Sequence, residues 1–205
     1  MTVSLLDPLI TMMRRAVGAA LTTARDAAHK TGRPFFIVDA TAGNGHDTLF
    51  LAEEAGTLGQ VFAFDVQQGA IEKAKQRLHE AGADLAARVT FVHAGHETIK
   101  IHLPPEAAGN LAAATFNLGY LPGSDKRVVT EERTTITALE TLVSYAASGC
   151  VISVHAYRGH EGGEKECEAV AVYLAALPWE EWRVAEYSFI NKRKNRETLF
   201  LLERM

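Results

Sequence analysis

The chain has 205 residues, 47% of them hydrophobic and 22% charged, which suits a single domain over residues 1–205, below the roughly 250–300 residues at which cores divide. Its net charge of −4 excludes a surface that binds polyanions everywhere, so any nucleic-acid contact must use a local basic patch. Cys150 and Cys167 lack the spacing of a disulfide framework or a zinc site, no apolar run approaches about 18 residues, and Asp7-Pro8 stands where a signal peptide needs an apolar core, so the expectation is a cytoplasmic protein without a membrane span.

In chain order, Leu6, Ile10, Met13, Val17, Ala20 and Leu21 recur at three- and four-residue steps, with Arg14, Arg15 and Arg25 between them. That is an amphipathic helix within residues 1–30, and its apolar stripe offers a surface on which a second copy could bury, as a homodimer. Thr31-Gly32-Arg33-Pro34 breaks it. Residues 35–39 form a short apolar strand ending in Asp39, followed by a glycine-containing turn and a helix from about Asp47. Residues 61–65 are a second strand, 68–81 a helix, 89–92 a third strand and 112–116 a fourth. A helix lies within 128–147, a fifth strand spans 150–154, and a helix spans 164–177. Residues 182–190 and 198–202 are two last strands joined by a short basic loop, with no helix between them. Strands alternating with helices predict a parallel sheet covered on both faces, and the final pair an antiparallel hairpin at its edge. The expected fold class is therefore α/β and Rossmann-like: a mostly parallel seven-stranded sheet with helices on both faces, the architecture of class I S-adenosylmethionine (SAM)-dependent methyltransferases.

In such a sheet, ligands bind beyond the carboxyl ends of the strands. Four of those ends carry polar or glycine-rich residues. After the first strand comes Asp39-Ala40-Thr41-Ala42-Gly43-Asn44-Gly45-His46-Asp47-Thr48. Its glycines let the backbone turn tightly against a ligand, and the next helix presents free N–H groups. The third glycine of a dinucleotide fingerprint is missing, as expected for a cofactor without pyrophosphate; a tight turn without ligand is the alternative. Asp65, with Val66 and Gln67 after it, ends the second strand, where an acid accepts both ribose hydroxyls of an adenosine or else caps the next helix. Gly95-His96-Glu97 follows the third strand, either against an adenine edge or as a solvated loop. His93 and His96 have no further ligands nearby that would make a metal site, and none is expected.

Asn117-Leu118-Gly119-Tyr120-Leu121-Pro122-Gly123 follows the fourth strand. Its Asn-x-x-Tyr spacing is that of the Asn-Pro-Pro-Tyr motif of enzymes that methylate exocyclic amines. An asparagine oxygen can hold an amine with its lone pair aimed at the methyl, and a tyrosine ring can stack on a base; a turn rich in glycine and proline is the alternative.

The glycine turn at 39–48, the tract Phe116-Asn-Leu-Gly-Tyr-Leu-Pro-Gly123 and the His/Gly-rich tract after the fifth strand resemble the bacterial "putative rRNA methylase" family, which is associated with tRNA 5-aminomethyl-2-thiouridine methyltransferases. The resemblance spans nearly the whole chain. It implies a class I fold, SAM as methyl donor, the tRNA anticodon region as partner, and N-methylation of the aminomethyl group at C5 of the wobble uridine. By motif position it implies that Asp39, Thr41, Gly43, Asn44, Gly45, Asp47, Thr48, Asp65, Val66, Gln67, His96, Glu97, Asn117, Leu118 and Gly119 serve the cofactor. Tyr120, Leu121, Pro122, Gly123, Tyr157 and Arg158 then serve the substrate. The chain departs from the family's wording at Ala156-Tyr157-Arg158, and at Asn195-Arg196-Glu197, where the family often reads Asn-Pro-Pro.

Lys192, Arg193, Lys194 and Arg196, beside Asn195, crowd the last loop. They suit phosphates if that loop lies at the cofactor end of the sheet, and otherwise form a solvated hairpin tip. Tyr120, Tyr157 and Trp179 are candidates for base stacking, Trp179 with the core as its alternative. An alkylamine must lose a proton before it attacks, and His155 or His160, beside Asn117 and Tyr120 as the catalytic set, are the candidate acceptors. Ribosomal RNA, a free small-molecule amine, or a noncatalytic binding module are the competing readings.

Overall fold

A computed structural model describes residues 9–119, 130–159, 162–192, 194 and 196–205. The expected Tyr120, Leu121, Pro122 and Gly123, with His160, Arg193 and Asn195, lie outside the described residues.

Seven strands among the described residues form one sheet: β1 (Phe35–Asp39), β2 (Gly59–Asp65), β3 (Val89–His93), β4 (Leu111–Leu118), β5 (Ala146–Tyr157), β6 (Trp182–Ser188) and β7 (Glu197–Arg204), in the order β3-β2-β1-β4-β5-β7-β6. The first five pair in parallel; β7 runs antiparallel between β5 and β6. The Rossmann-like reading of the sequence holds. Successive side chains of a strand point to opposite faces, and β1 shows the consequence. Phe35 and Ile37 join one core, Phe36 and Val38 the other, so every residue of this central strand is buried.

Helix α1 (Leu9–Thr31) lays Leu9, Met13, Val17, Ala20, Leu21 and Ala28 onto the first face, in one core with Ile37, Val61, Ala113, Val151 and Leu199. Of the stripe expected to attract a second copy, Met13, Val17, Ala20 and Leu21 are thus covered by the chain's own sheet, and Leu6 lies outside the described residues. On the same side α2 (His46–Glu54) contributes Leu51 and contacts α3 (Gln68–Ala81), which is followed by the short α4 (Ala83–Ala86). The opposite face is covered by the one-turn α5 (Ile99–His102), α6 (Glu132–Tyr145) and α7 (Gly163–Ala175), with Ile99, Leu139, Leu142, Val170 and Leu174 packed on Phe116, Ile152 and Val154. No described helix is long and apolar enough to cross a membrane.

Two strands outrun their apolar cores. The expected ends at Phe116 and Val154 become Leu118 and Tyr157, because Asn117 and Leu118 continue the ladder against His155 and Ala156, and β7 pairs as far as Tyr157. Backbone hydrogen bonding extends a strand wherever a partner is available, whatever the side chains. Asn117, His155 and Tyr157 therefore sit on sheet and not on loops.

Candidate active site at the carboxyl ends of the strands

The order β3-β2-β1-β4 reverses direction at β1, and a cavity of about 950 Å³ opens there, at the switch point where such sheets bind ligands. Its walls come from the ends of all five parallel strands: the turn Ala40–Asn44, Asp65 to Gln67, Ala94 to Glu97, Asn117 to Gly119, and Tyr157 with Gly159.

The turn is shaped by Gly43 (φ 53) and Gly45 (φ 77), both in the left-handed region. Gly45 is also where α2 meets α3: a Cβ there would stand 2.7 Å from Ala74 Cα. Gly43 N–H donates to Asp65 Oδ2 at 2.9 Å, and Gln67 N–H to Asp65 Oδ1 at 2.8 Å. The carboxylate thus braces both turns. It keeps lone pairs for a further donor, since an ionised carboxylate accepts about four hydrogen bonds. Val66 beside it is half exposed along the cavity wall.

Asp39 is buried beneath the turn, with Thr48 Oγ1–H donating at 2.6 Å and Thr41 N–H at 3.2 Å. Burial, and then the neighbouring Asp47, raise its pKa to about 7. Asp39, Thr48 and Gly45 do not line the cavity; they support those that do. Thr41 Oγ1 accepts the Asn117 N–H at 2.7 Å, tying the β1 turn to β4.

Asn117 has a defined polarity. Its Nδ2 donates to Asp47 Oδ2 at 2.8 Å. A carboxylate in a hydrogen bond to an amide only accepts, so the nitrogen must face Asp47, and Oδ1 keeps its lone pairs. Asp47 is nearly buried, and Arg14, from α1, reaches its other oxygen at 3.4 Å.

His96 is buried at the start of a 3₁₀ turn, His96–Thr98. Its Nδ1 bonds Ala40 C=O at 3.2 Å, and Thr135 Oγ1 stands 3.4 Å from Nε2. Thr135 and Thr130 hydroxyls donate to Glu166 at 2.7 Å each, and Gly119 N–H donates to Thr130 Oγ1 at 2.9 Å. This network anchors the second cavity wall, where Thr130, Glu131 and Thr134 lie. Sequence reasoning missed all of them; Thr130 followed by Glu131 and Glu132 at a helix entry is the only local signal. Burial lowers the His96 pKa, so this residue serves as a neutral brace. His93 Nε2 turns to Val66 C=O at 3.0 Å, so the two histidines are tied to separate backbone carbonyls.

His155 lies behind the wall. It is buried, with Nε2 on Glu197 Oε2 at 3.2 Å and Nδ1 on the Tyr157 hydroxyl at 3.3 Å. Tyr157 reaches the cavity. Arg158 turns aside, to Glu164 at 2.7 Å and Thr198 at 3.2 Å.

The last loop is at the cavity end because β6 runs parallel to β5, and Arg196 lines the cavity. Of its described cations, Lys192 pairs with Glu197, and Arg196 with Glu164 at 2.9 Å. Lys194 is exposed and has no ion pair among the described residues. Trp179, in contrast, lies at the opposite end of the sheet, just before β6 begins, 65% exposed and with Arg183 stacked 3.6 Å over its ring. It is neither core nor near the cavity; the buried tryptophan is Trp182.

The described lining carries the carboxylates of Asp47, Asp65, Glu97 and Glu131 against the single cation Arg196, a surface that favours a positively charged guest. Known proteins resemble this chain in sequence and fold. A crystal structure of the "putative rRNA-methylase" of Clostridium thermocellum superposes with a TM-score of 0.77 at 33% identity, over 91% of this chain and 97% of that one. A "putative methyltransferase" from Streptococcus mutans, solved in complex with SAH, gives a TM-score of 0.81 at 28% identity, over 98% and 100%. The chloroplastic tRNA (mnm(5)s(2)U34)-methyltransferase of Arabidopsis thaliana is 33% identical over 174 residues, 82% of this chain; the chain spans 63% of that relative's length. Residues 61–203, from β2 through nearly all of β7, match the family described as Putative rRNA methylase, and with these relatives the chain belongs to that family.

Proposed function

We propose that the chain is a SAM-dependent methyltransferase that N-methylates the aminomethyl group at C5 of a tRNA wobble uridine. The observation that carries the reading is Asn117: Asp47 holds its amide nitrogen, so Oδ1 is left as an acceptor beside the cavity. An amine proton placed on that oxygen fixes the direction of the nitrogen lone pair, and alignment is a large part of the barrier to methyl transfer.

The donor site fits SAM on this structure's own terms. Asp65 has acceptor capacity left for ribose hydroxyls, half-exposed Val66 offers apolar surface that an adenine ring would cover, and the acidic lining suits a sulfonium and an ammonium. When bound, SAM supplies a methyl group already activated by the sulfonium charge. Gly43, Asn44, Thr41, Asp47, His96, Glu97, Leu118 and Gly119 complete the donor side; Tyr157 and Arg196 form the described part of the substrate side. The wobble amine is taken from the chloroplastic relative. Lys194, exposed in the last loop, and Arg196, on the cavity wall, suit the anticodon phosphates.

Incubation with SAM and tRNA carrying 5-aminomethyl-2-thiouridine, followed by nucleoside mass spectrometry, should show one added methyl on that nucleoside. Methyl groups appearing only in ribosomal RNA, or only on free amines, would refute the tRNA assignment. Asn117→Ala should lower turnover far more than SAM affinity, whereas Asp65→Ala should weaken SAM binding by about 1.5–3 kcal/mol in calorimetry. Parent-like turnover in the first variant would remove Asn117 from its role, and parent-like affinity in the second would remove Asp65.

A further inference from the structure

An alkylamine bound as its ammonium has no lone pair with which to attack, so the site needs somewhere to put a proton. Asp47 is committed to Asn117 and Arg14. The neighbouring strand holds a better candidate. His155 is the register partner of Asn117, and Tyr157 stands two residues further along β5, on the same face and at the cavity wall.

We propose that Tyr157, His155 and Glu197 form a proton relay that takes one proton from the target amine; this rests on the amine-methylation reading above. The hydrogen positions follow from the partners. The Glu197 carboxylate accepts, so His155 Nε2 carries its hydrogen and donates at 3.2 Å. Nδ1 is then a bare lone pair, and the Tyr157 hydroxyl donates to it at 3.3 Å. The two rings lie 4.4 Å apart, and the remaining lone pairs of Tyr157 Oη are left for a donor in the cavity.

In the proposed step the ammonium N–H bond breaks as a bond forms to Tyr157 Oη. The Tyr157 O–H bond breaks as Nδ1–H forms on His155. The imidazolium is held by the Glu197 carboxylate, and its Nε2 proton leaves through that part-exposed carboxylate to water. The amine keeps the electron pair of the broken N–H bond, which it would donate to the methyl carbon as the donor's S–C bond breaks and that bond's pair stays on sulfur.

The charged groups around His155 are consistent with this. Glu197 from β7 faces it directly, Asp47 from α2 lies on the cavity side, and Lys192 from the last loop pairs with the far oxygen of Glu197. Burial lowers the His155 pKa, against the pull of Glu197, so the ring is neutral and able to accept. Burial, Glu197 and Asp47 raise the Tyr157 pKa, so its hydroxyl remains a donor to Nδ1 and passes a proton on without staying ionised.

The test is the pH dependence of methyl transfer to the tRNA amine at saturating SAM and tRNA. Tyr157→Phe should be slower by on the order of 10²-fold near neutral pH. It should recover toward the parent rate once the pH exceeds the amine's own pKa; His155→Gln and Glu197→Gln should shift the same limb to higher pH. A uniform loss at every pH, or a parent-like profile in Tyr157→Phe, would overturn the relay while amine methylation by the parent stands. A parent that methylates RNA only at non-amine positions would sink the amine reading and the relay with it. Nitrogen-15 NMR of the parent gives a check without turnover: His155 should be protonated at Nε2 and bare at Nδ1, and the Nδ1 resonance should move in Tyr157→Phe. Protonation at Nδ1 in the parent would overturn the relay by itself.

Discussion

Asp39 and Asp65 end adjacent parallel strands and look alike in sequence, yet their surroundings separate them. Asp65 faces the cavity and accepts two backbone N–H bonds, from Gly43 and Gln67, while Gln67 itself caps α3 without a side-chain bond, so the carboxylate braces the turns and does not cap the helix as the sequence alternative had it. Asp39 is fully buried. Its carboxyl, raised from 3.8 to about 7, holds a proton more tightly in the folded state than in the unfolded chain. Its contribution to stability is therefore greatest below 3.8 and falls as pH rises to about 7. Asp39→Asn cannot ionise, so urea unfolding across that window should show the variant gaining on the parent as pH rises. A difference independent of pH would mean that Asp39 ionises normally in the fold.

At the scale of elements, the site depends on how closely two helices approach and on where two loops are tied. Gly45, at φ 77, caps α2 in contact with Ala74 of α3. A methyl group there meets backbone on a neighbouring helix, so Gly45→Ala should cost about 1–3 kcal/mol, read as a lower melting temperature. An unchanged melting temperature would show that the helices separate freely. Glu164, on α7, ties Arg158 and Arg196 at the mouth of the site, and Arg158 first of all holds its carboxyl below the usual range. Glu164→Gln should release both guanidinium groups, tighten RNA binding at low salt and steepen its salt dependence, since each phosphate contact releases counterions. Identical salt slopes for variant and parent would show that neither arginine meets phosphate.

Over the whole molecule, the net charge of −4 confines the proposed RNA contact to a local basic patch. The parallel run of β6 decides which face, because it carries the last loop to the cavity end and leaves Trp179 at the other. Lys194→Ala should accordingly weaken RNA binding, and Trp179→Ala should leave it unchanged. A loss of affinity in Trp179→Ala would place RNA on the far end of the sheet as well.

Much of this was legible in one dimension. Largely apolar runs of four or five residues, as at 35–39 and 61–65, announced buried parallel strands; the glycine turn and Asp65 marked the strand ends; the missing helix between the last two strands foretold the antiparallel edge. These features are local, set by side-chain period and backbone sterics within a few residues. Other features waited for the tertiary structure. The continuation of β4 and β5 through Asn117 and Tyr157 depends on pairing between residues far apart in the chain. The polarity of Asn117 depends on a carboxylate 70 positions away. The pairing of the basic loop with Glu164 and Glu197, and the burial of His155 behind Tyr157, arise only when β5, β7 and α7 are brought side by side. Periodicity and turn chemistry act along the chain and can be read from it, whereas hydrogen-bond partners and dielectric surroundings are properties of the packed space that the chain encloses.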